Sequence, residues 1–413
     1  MISTKKLNKN IRIIENVVFV FAFGFIIYGL VSSYWVYVHD SIGGKGYLGA
    51  IVNPIYKHQY YKTVTAVIII LNSTCILWEL LVFSIGLSKQ QGVNARGLDR
   101  YKLIFKKVSA NYKPSFLAFF MMHQILPKLF LIHLFWIWLP HIQKISLFTV
   151  NLQWYSWLYA ILCWEFASWI FHFTSHRVRF LWCLHSPHHA PAELNMTVNW
   201  VHFFAESYYS TFIHLLISLL LGVNPLMLLA ILTTDSAWAA FVHISEGTLR
   251  NGRLGIFRHF IITPSHHRVH HAKNPLYIDT NFAFIFPIWD WVFGTLQPLK
   301  DEVKIEYGII RDLDVTNFTD LYFGEIALLY LDIKNAKGIK NKLLYFVMPP
   351  GWTPAGAAHT ALAIRRDFLK TNPELGATSR GRLLAAIKDR RKSKTPEITF
   401  DEIFEPFAAE VEL

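Results

Sequence analysis

Long apolar runs separated by short basic stretches set the pattern of the first half of the chain. Val17 to Val38, Val64 to Leu87, Pro114 to Leu139 and Leu147 to Phe171 are such runs. Each reaches the roughly 20 residues that cross a bilayer as a helix, so the pattern predicts four spans. Glu79 is the one formal charge of the second run, Pro127-Lys128 interrupts the third, and Glu165 sits near the end of the fourth. A fifth stretch, Tyr208 to Val242, is too long for one simple span, and Gly222-Val223-Asn224-Pro225 breaks it with a turn signal. It reads as a helical hairpin with both ends on one face. From about Lys300 the chain turns polar, and a basic run follows at Arg380 to Lys394. The expected organisation is N-terminal membrane helices over residues 1–146, a histidine-bearing catalytic domain over 147–299, and a polar tail over 300–413. The expected fold is all-α: a multipass membrane helical bundle capped by a cytoplasmic helical domain.

The loops orient it. Ser88 to Lys113 holds seven lysines and arginines against one acid, Asp99, and Lys5, Lys6, Lys9 and Arg12 precede the first run. Under the positive-inside rule both segments face the cytoplasm. Four crossings then return the chain to the cytoplasm after Phe171, so the N-terminus, the histidine motifs and the C-terminal tail share that side.

Composition narrows the class. Of 413 residues, 53% are hydrophobic and only 16% are charged, against about 25% charged in soluble proteins. Disorder, a collagen-like chain and a disulfide scaffold are excluded. The net charge of +12 fits attraction to anionic lipid headgroups better than to nucleic acid, given the long apolar runs. Cys75, Cys163 and Cys183 lie in apolar stretches without a CxxC pair, which reads as buried small hydrophobes.

The histidines are not evenly spread. Thirteen of 19 fall between His172 and His271. His172 and His176 form an HxxxH pair; His185, His188 and His189 form HxxHH; His267, His270 and His271 form HxxHH again, with His266 just before them. Isolated between these clusters stands His243. Residues three and four apart share a helix face, so each motif aims its imidazoles at one point. Thr263-Pro264 before the last cluster predicts a helix start. Neutral imidazole is the commonest protein metal ligand and suits iron, copper, zinc and nickel. Enough nitrogens are present for two metal ions. His39, His58, His123, His133, His141, His214 and His359 read instead as interfacial or packing residues. His202, His259 and His266 are open between support for the ligands and ordinary structure.

These clusters resemble the fatty acid hydroxylase/sterol desaturase superfamily. Ile278-Asp279-Thr280-Asn281-Phe282-Ala283 and Trp289-Asp290-Trp291-Val292-Phe293-Gly294-Thr295 follow the last cluster as they do in that family. The stretch from Thr263 to His271, with Tyr307-Gly308 and Pro349-Pro350-Gly351-Trp352, is similar to the alkylglycerol monooxygenase branch and its bacterial relatives. The similarity covers about Glu165 to Trp352.

The resemblance implies a histidine-held pair of iron ions that uses O2 and an electron donor to oxidise a C–H bond of a lipid. It implies nine ligands: His172, His176, His185, His188, His189, His243, His267, His270 and His271. It further implies a reduced pterin as donor, although no residue here identifies a pterin site.

Departures from the family pattern are visible. Ala239 stands four residues before His243, where relatives often carry a polar side chain, so no tenth ligand is apparent. Phe173 follows the first histidine, where that branch usually has arginine. Ile244-Ser245-Glu246 follows His243, where the branch has threonine and then glutamate. Glu165 is open between bracing an imidazole and a simple helix-end charge, and Asn195 and Asp279 are weaker candidates for the bracing role.

A desaturase would use the same ligands, with the outcome set by where the substrate lies. A divalent-metal transporter is the rival from another class. Transport sites lie near the bilayer midplane with carboxylates on broken helices, whereas these clusters follow the apolar runs and lack sequence-adjacent acids.

Overall fold

A computed structural model describes residues 155–376, apart from 247, 248, 250, 315 and 316, together with 144, 146, 148–151 and 153. The first three expected spans and the basic loop between them lie outside the described residues. Those that are described fold as helices joined by turns, with two isolated β-bridges and no sheet among them. The all-α expectation holds here.

The fourth apolar run becomes helix α1, Ser156–Arg177. It starts nine residues later than Leu147 and continues past Phe171 to carry His172 and His176 in its last two turns. His176 and Arg177 sit at its C-terminal end, where positive charge suits the helix dipole. Val178, in an extended conformation, separates it from α2, Arg179–His189. Pro191 has no N–H with which to continue the helix, and α2 stops just before it. The expected hairpin is two helices, α3 (Glu206–Leu220) and α4 (Pro225–Val242). Gly222 makes the turn with a φ of +75°, and a Cβ there would meet the Phe148 carbonyl oxygen at 2.1 Å. Only glycine fits that turn. Both helices pack on α1, where Ala160, Cys163 and Trp164 meet Leu215, Leu219, Met227, Leu228 and Ile231. Among the described residues, no helix is long and apolar enough to cross a membrane.

After the hairpin come the short helices α5 (Pro264–His270) and α6 (Ile288–Phe293), then α7 (Phe318–Asn335), α8 (Gly338–Val347) and α9 (Ala361–Thr371). The stretch from 300 to 376 is therefore not a detached tail. Phe318, Leu321, Tyr322, Phe323 and Ala327 of α7 form one core with Leu184 of α2, Ala190, Val201 and Phe203. Sequence polarity hid this, because α7 shows solvent one face and buries the other. The Arg179 guanidinium pairs with the Glu325 carboxylate, which also accepts from Arg311 at 2.7 Å, and ties α7 to the start of α2.

Candidate metal centre

The eight histidines singled out by spacing and the isolated His243 converge on two points. Potential ligand atoms of His172, His176, His185, His189 and His270 lie within 4.8 Å of one another, and those of His188, His243, His267 and His271 do the same. All nine are buried, none more than 7% exposed. α1 supplies His172 and His176, α2 supplies His185, His188 and His189, and the end of α4 leads into His243. α5 supplies His267 and His270, and His271 follows as its C-cap. The adjacent pairs split: His188 and His189 go to different groups, as do His270 and His271, because neighbours on a helix diverge by about 100°.

The outer ring nitrogens are held. Nδ1 of His172 contacts the Phe282 carbonyl at 3.0 Å, that of His270 the Thr280 carbonyl at 2.8 Å, that of His188 the Val198 carbonyl at 3.2 Å, and that of His243 the Ala239 carbonyl at 2.6 Å. Carboxylates hold two more: Asp279 faces His176 Nδ1 at 3.1 Å, and Glu206 faces His185 Nδ1 at 2.5 Å. A carbonyl or an ionised carboxylate only accepts, so each of these Nδ1 atoms carries the hydrogen. Every corresponding Nε2 is then a bare lone pair. His188 and His243 place two such lone pairs 3.2 Å apart. Neither atom has a hydrogen to share, so the pair repels unless a cation lies between. Nε2 of His176 and of His270 are buried without a hydrogen-bond partner among the described residues. This donor set fits metal ions bound at both groups.

Burial keeps the rings neutral. Against their carbonyl hydrogen bonds, desolvation pushes His243 and His270 down to about 3. It also drives His188, His189, His267 and His271 well below the ordinary imidazole range, helped by the imidazoles facing them. Neutral imidazole is the ligand form.

One loop braces three of the rings. Residues 279–283 deliver the Asp279 carboxylate and the Thr280 and Phe282 carbonyls, and both Asp279 (φ 55°) and Asn281 (φ 58°) take the left-handed conformation. Non-glycine residues adopt it rarely, and at a cost. Surrounding bonds impose it here. Asn281 Nδ2 donates to the His266 and Gln297 carbonyls, and its Oδ1 accepts from the Gln297 N–H at 2.7 Å. Asp290, fully buried, accepts from the N–H groups of Phe282 and Ala283, from Trp169 Nε1 and from the Thr295 hydroxyl.

Residues 157–295 match the fatty acid hydroxylase family. Over these residues the chain is similar to the fatty acid hydroxylase family, as its histidine motifs suggested. Among its relatives are the alkylglycerol monooxygenases of Xenopus tropicalis, 28% identical over 50% of this chain and 45% of that protein, and of Danio rerio, 30% identical over 48% and 43%. The human alkylglycerol monooxygenase is 28% identical over 49% of this chain and 45% of its own length. The match thus spans under half the length of these relatives. No solved structure matches.

Around the two groups, the supporting candidates fall unevenly. Asp279 reaches His176. His202 lies flat on His188, with ring centroids 4.1 Å apart and planes at 15°, and its Nδ1 lies 2.8 Å from Glu206. Glu165 touches no imidazole among the described residues: its carboxylate accepts the Ile285 and Phe286 N–H groups at 2.8 and 3.1 Å. Asn195 caps the 3-10 helix Met196–Trp200, accepting from the Thr197 N–H at 2.9 Å. Its effect on the site is indirect, through the Val198 carbonyl that holds His188. His266 turns back to Thr263 as half of a capping box and stays out of both groups. His259 joins neither group; its Nε2 is 3.4 Å from Arg258 Nε. His214 packs between α1 and α3 against Ser168 and Ser210, in line with its reading as a structural histidine.

Two residues went unnoticed in the sequence. Glu206 stands four after His202 at the start of α3, a helical spacing that could have marked it. Asp290 lies inside the Trp-Asp-Trp motif, but its target is backbone, which sequence spacing does not reveal. Acids do neighbour the histidines after all, although both Asp279 and Glu206 face the outer ring nitrogens. Burial alone would push the Glu206 carboxyl up; His202 and His185 facing it pull it well below the carboxylate range. Burial pushes Asp279 up to about 6, against the pull of Arg177 and Arg365.

A cavity of about 390 Å³ opens onto His176, His189 and His270. Trp182, Tyr345 and Trp352 line it with Asp279, Arg179 and Glu325. The Pro-Pro-Gly-Trp turn thus borders the approach to the five-histidine group. Its Gly351 (φ +83°) sits so close to the His359 carbonyl that a Cβ would lie 2.1 Å from the oxygen.

Proposed function

We propose that the two histidine groups hold two iron ions, five imidazoles at one and four at the other, and that the protein is a membrane di-iron monooxygenase hydroxylating a lipid. The observation that carries this reading is the His188–His243 pair, whose bare nitrogens meet without a hydrogen between them. Imidazole suits iron among other metals, and the similarity to the fatty acid hydroxylase family favours iron. Iron so held supplies the activation of O2 with electrons from a donor, by which a C–H bond becomes C–OH.

The chain's own residues do the rest. Six of the nine rings are preset by their outer hydrogen bonds, so little reorganisation accompanies binding. Phe282, fully buried, packs against His172, His176 and His270 and shields that side of the group from water, which protects reactive species from side reactions. The cavity on the five-histidine side admits a small molecule to the rings. A reduced pterin is the donor that the branch resemblance suggests, and Trp182, Tyr345 and Trp352 offer aromatic faces for such a ring. Alkylglycerols are the first lipids to test, since the relatives are named for them, and cleavage of an ether lipid is then an expected product. The two acids nearest the rings, Asp279 and Glu206, face outer ring nitrogens as braces, which favours a fixed site over transport.

The test is turnover of a lipid panel by detergent-purified, iron-loaded protein under isotopically labelled O2, with reduced pterin as donor. Label in a hydroxylated product supports the reading. An unsaturated product without label indicates a desaturase on the same ligands, and flux of metal into vesicles without O2 use would overturn the oxygenase.

A further inference from the structure

We propose that Glu206 is a positioning residue that joins the two histidine groups, one carboxylate oxygen fixing His185 and the other fixing the His202 ring that lies on His188. This rests on the metal reading above. The geometry has three links. Glu206 Oε1 lies 2.5 Å from His185 Nδ1 in the five-histidine group. Its Oε2 lies 2.8 Å from His202 Nδ1. The His202 ring stacks on His188 of the four-histidine group at 4.1 Å and 15°. Glu206 is only 2% exposed, so water does not compete for either bond.

The arrangement is lopsided in charge. A carboxylate behind an imidazole strengthens the opposite nitrogen as a donor more than a neutral carbonyl does. Glu206 and Asp279 both stand behind the five-histidine group, on His185 and His176. In the four-histidine group, His188 and His243 rest on backbone carbonyls. The five-histidine group therefore favours the more oxidised metal. Glu206 contributes charge directly to that group, and ring placement to the other through His202.

The experiment titrates metal-free full-length protein anaerobically with Fe²⁺ enriched in the Mössbauer isotope and measures stepwise affinity, spectrum and reduction potential. Wild type is expected to bind two ions with two distinct spectra. Glu206→Ala should weaken both sites, the five-histidine one by roughly 10–100-fold. Glu206→Gln removes the charge and keeps an acceptor for only one of the two N–H groups, so it should bind both ions better than Glu206→Ala while raising the potential of the five-histidine site. His202→Ala, on a partly exposed ring, should weaken the four-histidine site and leave the other at wild-type affinity. Variants that match wild type at both sites would overturn the proposal, as would a Glu206→Ala effect confined to one site. A wild type that binds no Fe²⁺ would instead overturn the metal reading.

Discussion

His266 Nδ1 lies 3.2 Å from the Thr263 backbone N–H, so the histidine beside His267 faces the start of its own helix and not the cluster. His267 places its Nε2 2.9 Å from that of His243. Two adjacent residues of one type thus have different work. His267→Ala should lose bound metal and activity together. His266→Ala should keep both and lose only the cap, about 1 kcal/mol of stability. Metal analysis beside thermal unfolding separates the two, and equal metal loss in both variants would contradict the assignment.

Asp290 accepts four hydrogen bonds in a fully buried position. Asp290→Ala would strand two backbone N–H groups, an indole and a hydroxyl, at about 1–3 kcal/mol for each buried donor left unpaired. A loss on the order of 3–5 kcal/mol is expected after relaxation, with weaker metal binding because Phe282 and Thr280 lose their placement. Thermal denaturation in detergent measures it. A shift within that of a surface variant would show that the loop holds itself.

Acid should destabilise the metal-free protein. His243 and His270 titrate near 3 when folded and near 6.5 when unfolded. Between those values the unfolded chain binds protons that the folded chain does not, so stability is full above 6.5 and falls as pH drops. Each such group costs about 1.4 kcal/mol per pH unit. Unfolding of the metal-free form is expected to begin below about pH 6, and bound metal should move it to lower pH. Flat stability down to pH 5 would contradict the buried, neutral rings.

The histidine groups were legible because helix periodicity converts spacing into direction. HxxxH and HxxHH place rings on one face in any helix, and the eight rings so placed came together with the isolated His243. What spacing could not supply was the bracing. Glu165 and Asp290 act on backbone N–H groups more than a hundred and about seven residues away, which leaves no pattern in their own neighbourhood. Glu206 serves rings on two elements, a relationship set by how α3 packs on α1 and α2. The stretch beyond 300 read as a tail because α7 and α8 mix charge with apolar residues. Its packing is decided by α2, whose Leu184 and Arg179 receive it.

His185→Ala and His188→Ala offer a further check, since they remove one ligand from each group. Each should lower bound metal and abolish turnover, with the residual metal confined to the intact group. Full metal and full turnover in either variant would remove that residue from the ligand set.

The central claim is that nine histidines form two metal sites. Elemental analysis of the purified full-length chain tests it most directly. Two iron atoms per chain, falling to about one or fewer when His188 or His243 is replaced by alanine, is the predicted result. A protein that retains no iron after expression in iron-rich medium and anaerobic purification would contradict it.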